Sequence, residues 1–156
     1  MNLKKFLPFV IVIIFLIIIS CFLFNKNIFF NKNFEGNNIN YVKIAEQILK
    51  VDLALTPKSQ EQGLSGRDSL KEDEGMLFVF EKKGKYSFWM KDMNFPIDII
   101  WIGKDLRVIY IKKNAQPESF PETFGADQDA NFVLEVISGF SEKNNLKEGD
   151  NVKFLP

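Results

Sequence analysis

Histidine is absent from all 156 residues, and cysteine occurs once, as Cys21. Without imidazole, Ser-His-Asp and Cys-His catalysis in their usual forms fall away, and so do the commonest zinc and iron ligand sets. Acid and base chemistry would rest on carboxylates, Lys or Tyr. Because Cys21 lies inside an N-terminal apolar segment, the folded part has neither a thiol nor a disulfide, and its core alone must hold it. Excess charge of either sign is also missing: 20 Lys and Arg balance 20 Asp and Glu. No helix-turn-helix or RNA-binding signature occurs, which argues against nucleic acid as a partner. A phosphate-binding glycine loop is lacking, and the acidic run Glu72-Asp73-Glu74 offers too few ligands for calcium and reads as a solvated loop. No cofactor or metal is expected.

What the chain does have is apolar mass. Hydrophobic residues make up 46% and aromatic residues 14%, enough for one domain with an appendage. The 17 Phe, together with many Ile, Lys and Asn, look like codon bias and carry no chemical weight.

The appendage comes first. Lys4 and Lys5 precede an apolar run from Phe6 to Phe24, broken only by Pro8 and Ser20. As a helix, this run rises about 28 Å, close to a hydrocarbon thickness. The basic pair favours leaving that end in the cytoplasm and sending the remainder across, against a weaker pull from Lys26 and Lys32. The expectation is a single-pass anchor over residues 1–24 and an extracytoplasmic domain. In a competing arrangement Ile18-Ile19-Ser20-Cys21 resembles a bacterial lipobox, and Cys21 is lipidated after cleavage; Phe22, Leu23 and Phe24 prolong the apolar run past that cut and favour the anchor. A cleaved, secreted form is a third alternative. Residues 25–40, rich in Asn, show no sustained period and read as a tether.

From residue 41 onward the pattern is of strands. Alternation or continuous apolar character marks 42–44, 49–55, 76–80, 86–91, 97–102, 106–112, 132–137 and 152–154. Thr56 as N-cap, Pro57 in the first turn and Gly63 as a left-handed stop predict a helix over 57–62, and Ser141 is expected to cap a turn through Asn145. An antiparallel meander is the simplest arrangement of 86–91, 97–102 and 106–112. Residues 114–130, with Pro117, Pro121 and Gly125, read as one long loop. The fold class is mainly β: a small barrel or two-sheet sandwich of about eight short strands with two short helices.

Five segments, GLSGRDSL (63–70), GMLFVF (75–80), FWMKDMNFPIDIIWI (88–102), VLEVISG (133–139) and EGDNVKF (148–154), together resemble the bacterial and archaeal family numbered 192 among domains of unknown function. The resemblance spans residues 48–154. It implies a small, mainly β domain, often behind a signal peptide or anchor, with no settled activity. Ser65 stands where the family commonly has Met, and Asp92-Met93 where it often has Asn-Thr.

The candidate site starts from two carboxylates in greasy strands. Asp98 shares a strand face with Ile100 and Ile102, and Glu135 shares one with Val133 and Ile137, so each needs a partner or a proton. Arg67 and Lys91 can supply donors. The expectation is that Arg67, Lys91, Asp98 and Glu135 converge beside Trp89. Buried ion pairs and backbone-capped carboxylates also serve simply to fix loops to a barrel. Three functions follow: a binding or accessory module taking an unknown small ligand, an envelope scaffold contacting another protein, or a hydrolase of envelope polysaccharide with Asp98 and Glu135 as acid and base.

Overall fold

The structure, a computed structural model, describes residues 38–156 together with Ile13, Ile14, Ile17 and Ser20, which take helical positions. The expected anchor and its Cys21, and the tether up to residue 37, otherwise lie outside the described residues. Among the described residues no helix is long and apolar enough to cross a membrane. The compact unit spans Asn38–Pro156. It begins slightly before Tyr41, because Ile39 is buried and the Asn40 N–H donates to the Leu155 carbonyl at 2.9 Å.

Nine strands are present among the described residues. Strands β1 (Tyr41–Ile44) and β2 (Gln47–Ala54) form a hairpin through Ala45 and Glu46, both at positive φ. Such a two-residue turn matches the twist of the strands it joins. The helix α1 (Pro57–Gln62) follows. The Thr56 hydroxyl accepts the Ser59 N–H at 3.1 Å, while the Ser59 hydroxyl oxygen accepts the Thr56 N–H at 2.9 Å. Gln60 pins the helix to the sheet by donating to the carbonyls of Ala54 and Val79. The chain then returns as β3 (Glu74–Gly84), parallel to β2.

The remaining strands are β4 (Ser87–Trp89), β5 (Ile97–Ile102), β6 (Val108–Ala115), β7 (Thr123–Gly125), β8 (Ala130–Ile137) and β9 (Val152–Leu155). Seven of the nine strands make one curled, half-barrel sheet in the order β6-β5-β8-β3-β2-β1-β9, and β4 pairs with β7 in a small second sheet. The outer strands β6 and β9 meet at one end: Val108 and Val152 donate to the carbonyls of Asp150 and Leu106, and Gly149 donates to that of Val108. The expected meander forms only in its second half: β5 and β6 pair antiparallel, but β4 does not join them. Phe88 of β4 packs edge-on against Phe78 and Trp101, with centroids 4.8 and 5.6 Å apart, so β4 lies over the sheet and β8 takes the place beside β5. Residues 114–130 are likewise not one long loop. They contain a 3-10 turn (Pro117–Ser119) and β7, which covers β4.

All six residues of β5 are buried, including Asp98 at 0% exposure. A carboxylate there is tolerated because three backbone N–H groups reach it: Asn114 at 2.8 Å and Gly139 at 3.3 Å on Oδ1, and Ser141 at 2.8 Å on Oδ2. Asn114 sits at positive φ in a bulge of β6, where the pairing shifts between Ile97 and Ile99. Gly139 and Ser141 belong to the corner between β8 and the short helix α2 (Phe140–Lys143). Ser141 is therefore not the cap that its hydroxyl suggested; Gly139 precedes the helix, and Asp98 accepts the N–H of Ser141 instead.

Asp98 thus clips two corners to the central strand. Asp98→Ala is expected to orphan these donors and lower the unfolding free energy by on the order of 3 kcal/mol, and Asp98→Asn by less, since one acceptor remains. Urea titration of the variants checks this, and a loss under about 1 kcal/mol for the alanine variant contradicts it.

Candidate functional site

The register of the sheet decides which side chains share a face. Glu135 of β8 lies opposite Met76 of β3 and Ile99 of β5, whereas Asp98 lies opposite Val136. Neighbouring residues of a strand point to opposite faces, so Asp98 and Glu135 are separated by the sheet itself. The expected four-residue cluster is not assembled. Asp98 lies apart from the other three.

Glu135 points to the face that α1 and β4 cover. There a cavity of about 240 Å³ opens between the Gly63–Ser65 turn and β4, with Phe78, Phe88 and Glu135 among its walls. Two loops close its base. Ser65 donates its hydroxyl to the Lys91 carbonyl at 2.8 Å, and the Gly66 N–H reaches the Asp92 carbonyl at 2.8 Å. Asp92 has a φ of 54°, a left-handed conformation that Asn and Asp adopt more readily than most residues. Gly63 ends α1 at a φ of 50°, but its ψ of −134° places it outside the left-handed helical basin. A Cβ there would stand 3.3 Å from the Phe78 ring and 3.7 Å from Glu135 Oε2, so the bare backbone lets the turn approach the carboxyl closely.

Glu135 is 4% exposed, and its Oε2 is buried without a hydrogen-bond partner. Burial pushes the Glu135 carboxyl up to about 8, and the guanidinium of Arg67 draws it back only in part. Arg67 itself is bound to Asp52, Nη2 to Oδ2, at 2.8 Å. Desolvation therefore wins, and near neutral pH the group is a carboxylic acid, able to donate one proton and accept at its other oxygen.

Trp89, 45% exposed, lines the same cavity. Its ring meets Phe120 edge-on at 6.1 Å, and Lys91 Nζ lies 6.0 Å from its centroid. Lys91 faces a neighbouring depression of about 260 Å³ shared with Lys58, Glu61 and Asp92. Of the predicted residues, Glu135 and Trp89 thus meet in one cavity, Arg67 stands within electrostatic reach, and Lys91 borders it. The residues that sequence reasoning missed are Gly63, Phe78 and Phe88, together with Gln60 and Gln62 of α1. Gly63 was visible as a helix stop, but its approach to Glu135 depends on packing between distant segments.

A wider depression of about 370 Å³ beside α2 holds the surface ion pair of Lys143 with Glu72 at 2.6 Å. Its rim charges are solvated and mutually paired, so it lacks the unmet demand of Glu135. Among the described residues no three His, Cys, Asp or Glu side chains are grouped to hold a metal ion.

Comparison with known proteins agrees with this architecture. A crystal structure of a protein of unknown function from Novosphingobium aromaticivorans is 32% identical, with a TM-score of 0.70 over 74% of this chain and 84% of that one. A Sinorhizobium meliloti protein, described as a candidate transcription regulator, is 30% identical, with a TM-score of 0.68 over 73% of this chain and 90% of its own. No functionally curated protein matches the chain. The family model DUF192, described as an uncharacterized ACR, matches residues 40–154, and the chain belongs to that family.

Proposed function

We propose that this protein is a membrane-tethered, extracytoplasmic binding module whose cavity beneath α1 receives a small ligand. The observation that carries the reading is Glu135 Oε2, a buried polar atom on the cavity wall with no partner in the protein. Such an atom destabilises the fold unless something else satisfies it. Aromatic walls around a few polar groups are the usual composition of a small-molecule site. The tether rests on the apolar run Phe6 to Phe24 and the basic pair before it.

Two other readings draw less support. Glycoside hydrolysis requires two carboxyl groups facing each other across an open cleft, and Asp98 and Glu135 lie on opposite faces of one sheet. The regulatory description of the Sinorhizobium relative has no electrostatic counterpart here, since the balanced chain offers no basic field to a nucleic acid.

Three measurements test the reading. First, the melting temperature of the full chain is followed against separate panels of sugars, amino acids, small anions and small amines. At about a hundred times its Kd, a ligand adds about 2.7 kcal/mol of stability, several degrees for a domain of this size. One panel is expected to produce that shift; no shift from any of them refutes a small-molecule site. Second, mass spectrometry of the mature protein is expected to find residues upstream of Cys21 retained. An N-terminus at a lipidated Cys21 would replace the anchor with a lipoprotein.

Third, stability should depend on pH in a defined window. Burial raises the folded Glu135 carboxyl to about 8, from an ordinary value of 4.5. Folding therefore takes up a proton, and this contribution is fully present below the unfolded value and is lost as pH rises through the folded one. The lowered pKa values of the exposed Glu46 and Glu72 and the half-buried Glu74 act in the opposite direction, and below that window. No histidine titrates between them. The stability of the wild type should fall by several kcal/mol from about pH 5 to about pH 8, and Glu135→Gln should flatten the profile. Parallel profiles for the two proteins would show that Glu135 is not the buried acid described.

A further inference from the structure

We propose that the ligand of this cavity is a small organic cation, an alkylammonium or quaternary ammonium group held between Glu135 and the surrounding aromatic rings. This rests on the reading of the cavity as a ligand site and adds the class of ligand. The first support is the sign of the charges. Among the described residues, Glu61 and Glu135 are the acidic side chains lining the cavity, and neither Lys nor Arg lines it. The second is the wall. Phe78, Tyr86, Phe88 and Trp89 line it, and the electron-rich faces of such rings attract cations, most strongly where water is excluded. The protein already holds one of its own ammonium groups by Trp89, with Lys91 Nζ 6.0 Å from the ring centroid.

The third support favours a cation over a neutral polyol. A sugar needs both donors and acceptors from its site, and several of the side-chain donors here are committed elsewhere. Gln60 gives its amide N–H groups to the carbonyls of Ala54 and Val79, Gln62 donates to the carbonyl of Ser65, and Ser65 donates to that of Lys91. The amides retain an acceptor oxygen each, and Glu135 Oε2 has no partner at all. A primary ammonium ion, which donates and never accepts, fits what is left. At about 240 Å³, the space suits a head group of a few heavy atoms.

The charges around Glu135 permit the exchange. Arg67 acts on it from the loop after α1 but is bound to Asp52 of β2, and Glu61 stands on α1. Its register partners on β3 and β5, Met76 and Ile99, are uncharged, and Tyr86 before β4 is a further titratable group on the cavity wall. When the cation enters, the carboxyl gives its proton to solvent and the carboxylate pairs with the ligand. Below the acid's own titration point, one proton leaves for each cation bound, and affinity rises with pH.

The test titrates the full chain calorimetrically with choline, with n-butylammonium and with dimethylbutanol, the uncharged isostere of choline, at about pH 6 and about pH 9. At least one ammonium probe is expected to bind, about tenfold or more tighter at the higher pH, with proton release at the lower one and no binding of the alcohol. Glu135→Gln should abolish this binding, and Trp89→Leu, at a half-exposed position, should weaken it about tenfold. If the alcohol binds as well as choline and Glu135→Gln retains both, the cation assignment is overturned while the cavity stands as a ligand site. If none of the three binds at millimolar concentration, the assignment fails; the sugar, amino-acid and anion panels then decide separately whether the cavity takes any small molecule.

Discussion

An acidic side chain in a strand that meets no water on either face must be satisfied by the protein, by a proton or by a guest. This domain contains two such groups in adjacent strands and resolves them in opposite ways. Asp98 gathers three backbone N–H groups and becomes a structural clip. Glu135 gathers none at its Oε2 and is left bordering a cavity. The difference comes from what each face meets. The face of Asp98 meets a bulge and a helix corner, both rich in free N–H groups, whereas the face of Glu135 meets aromatic rings and a glycine turn.

The cavity is a consequence of topology. Had β4 continued the meander, its aromatic residues would have joined the sheet and nothing would roof Glu135. Instead the ribbon of β4 and β7 crosses over the face, with Phe88 wedged between Phe78 and Trp101. The parallel return from β2 through α1 to β3 brings the second wall. Gly75 makes the close pairing of β3 with β8 possible at this point, since a Cβ there would stand 2.8 Å from the Glu135 carbonyl oxygen.

Local signals were legible and long-range ones were not. The bounds of α1 and β5 could be read from the chain, the first from its Thr and Pro start and the second from a β-branched run set off by Pro96. The burial of Asp98 and Glu135 followed from their apolar strand neighbours. Alternation within one strand, however, says nothing about how that strand aligns with the next, and a shift of one residue reverses the faces. Placing Asp98 and Glu135 together therefore failed on register, while Trp89 and Glu135 meet through a chain crossing that no local pattern encodes. Arg67 was chosen as a partner for buried acids and instead forms a surface pair with Asp52, although its field still reaches Glu135.

The first strand and the last are neighbours. Tyr41 pairs with Leu155, and Asn40 is hydrogen-bonded to the same residue, so the chain enters and leaves the domain at one corner. Neither β1 nor β9 lines the cavity beneath α1. The two ends of the domain are therefore held together by one strand pair, and the cavity is walled by other elements.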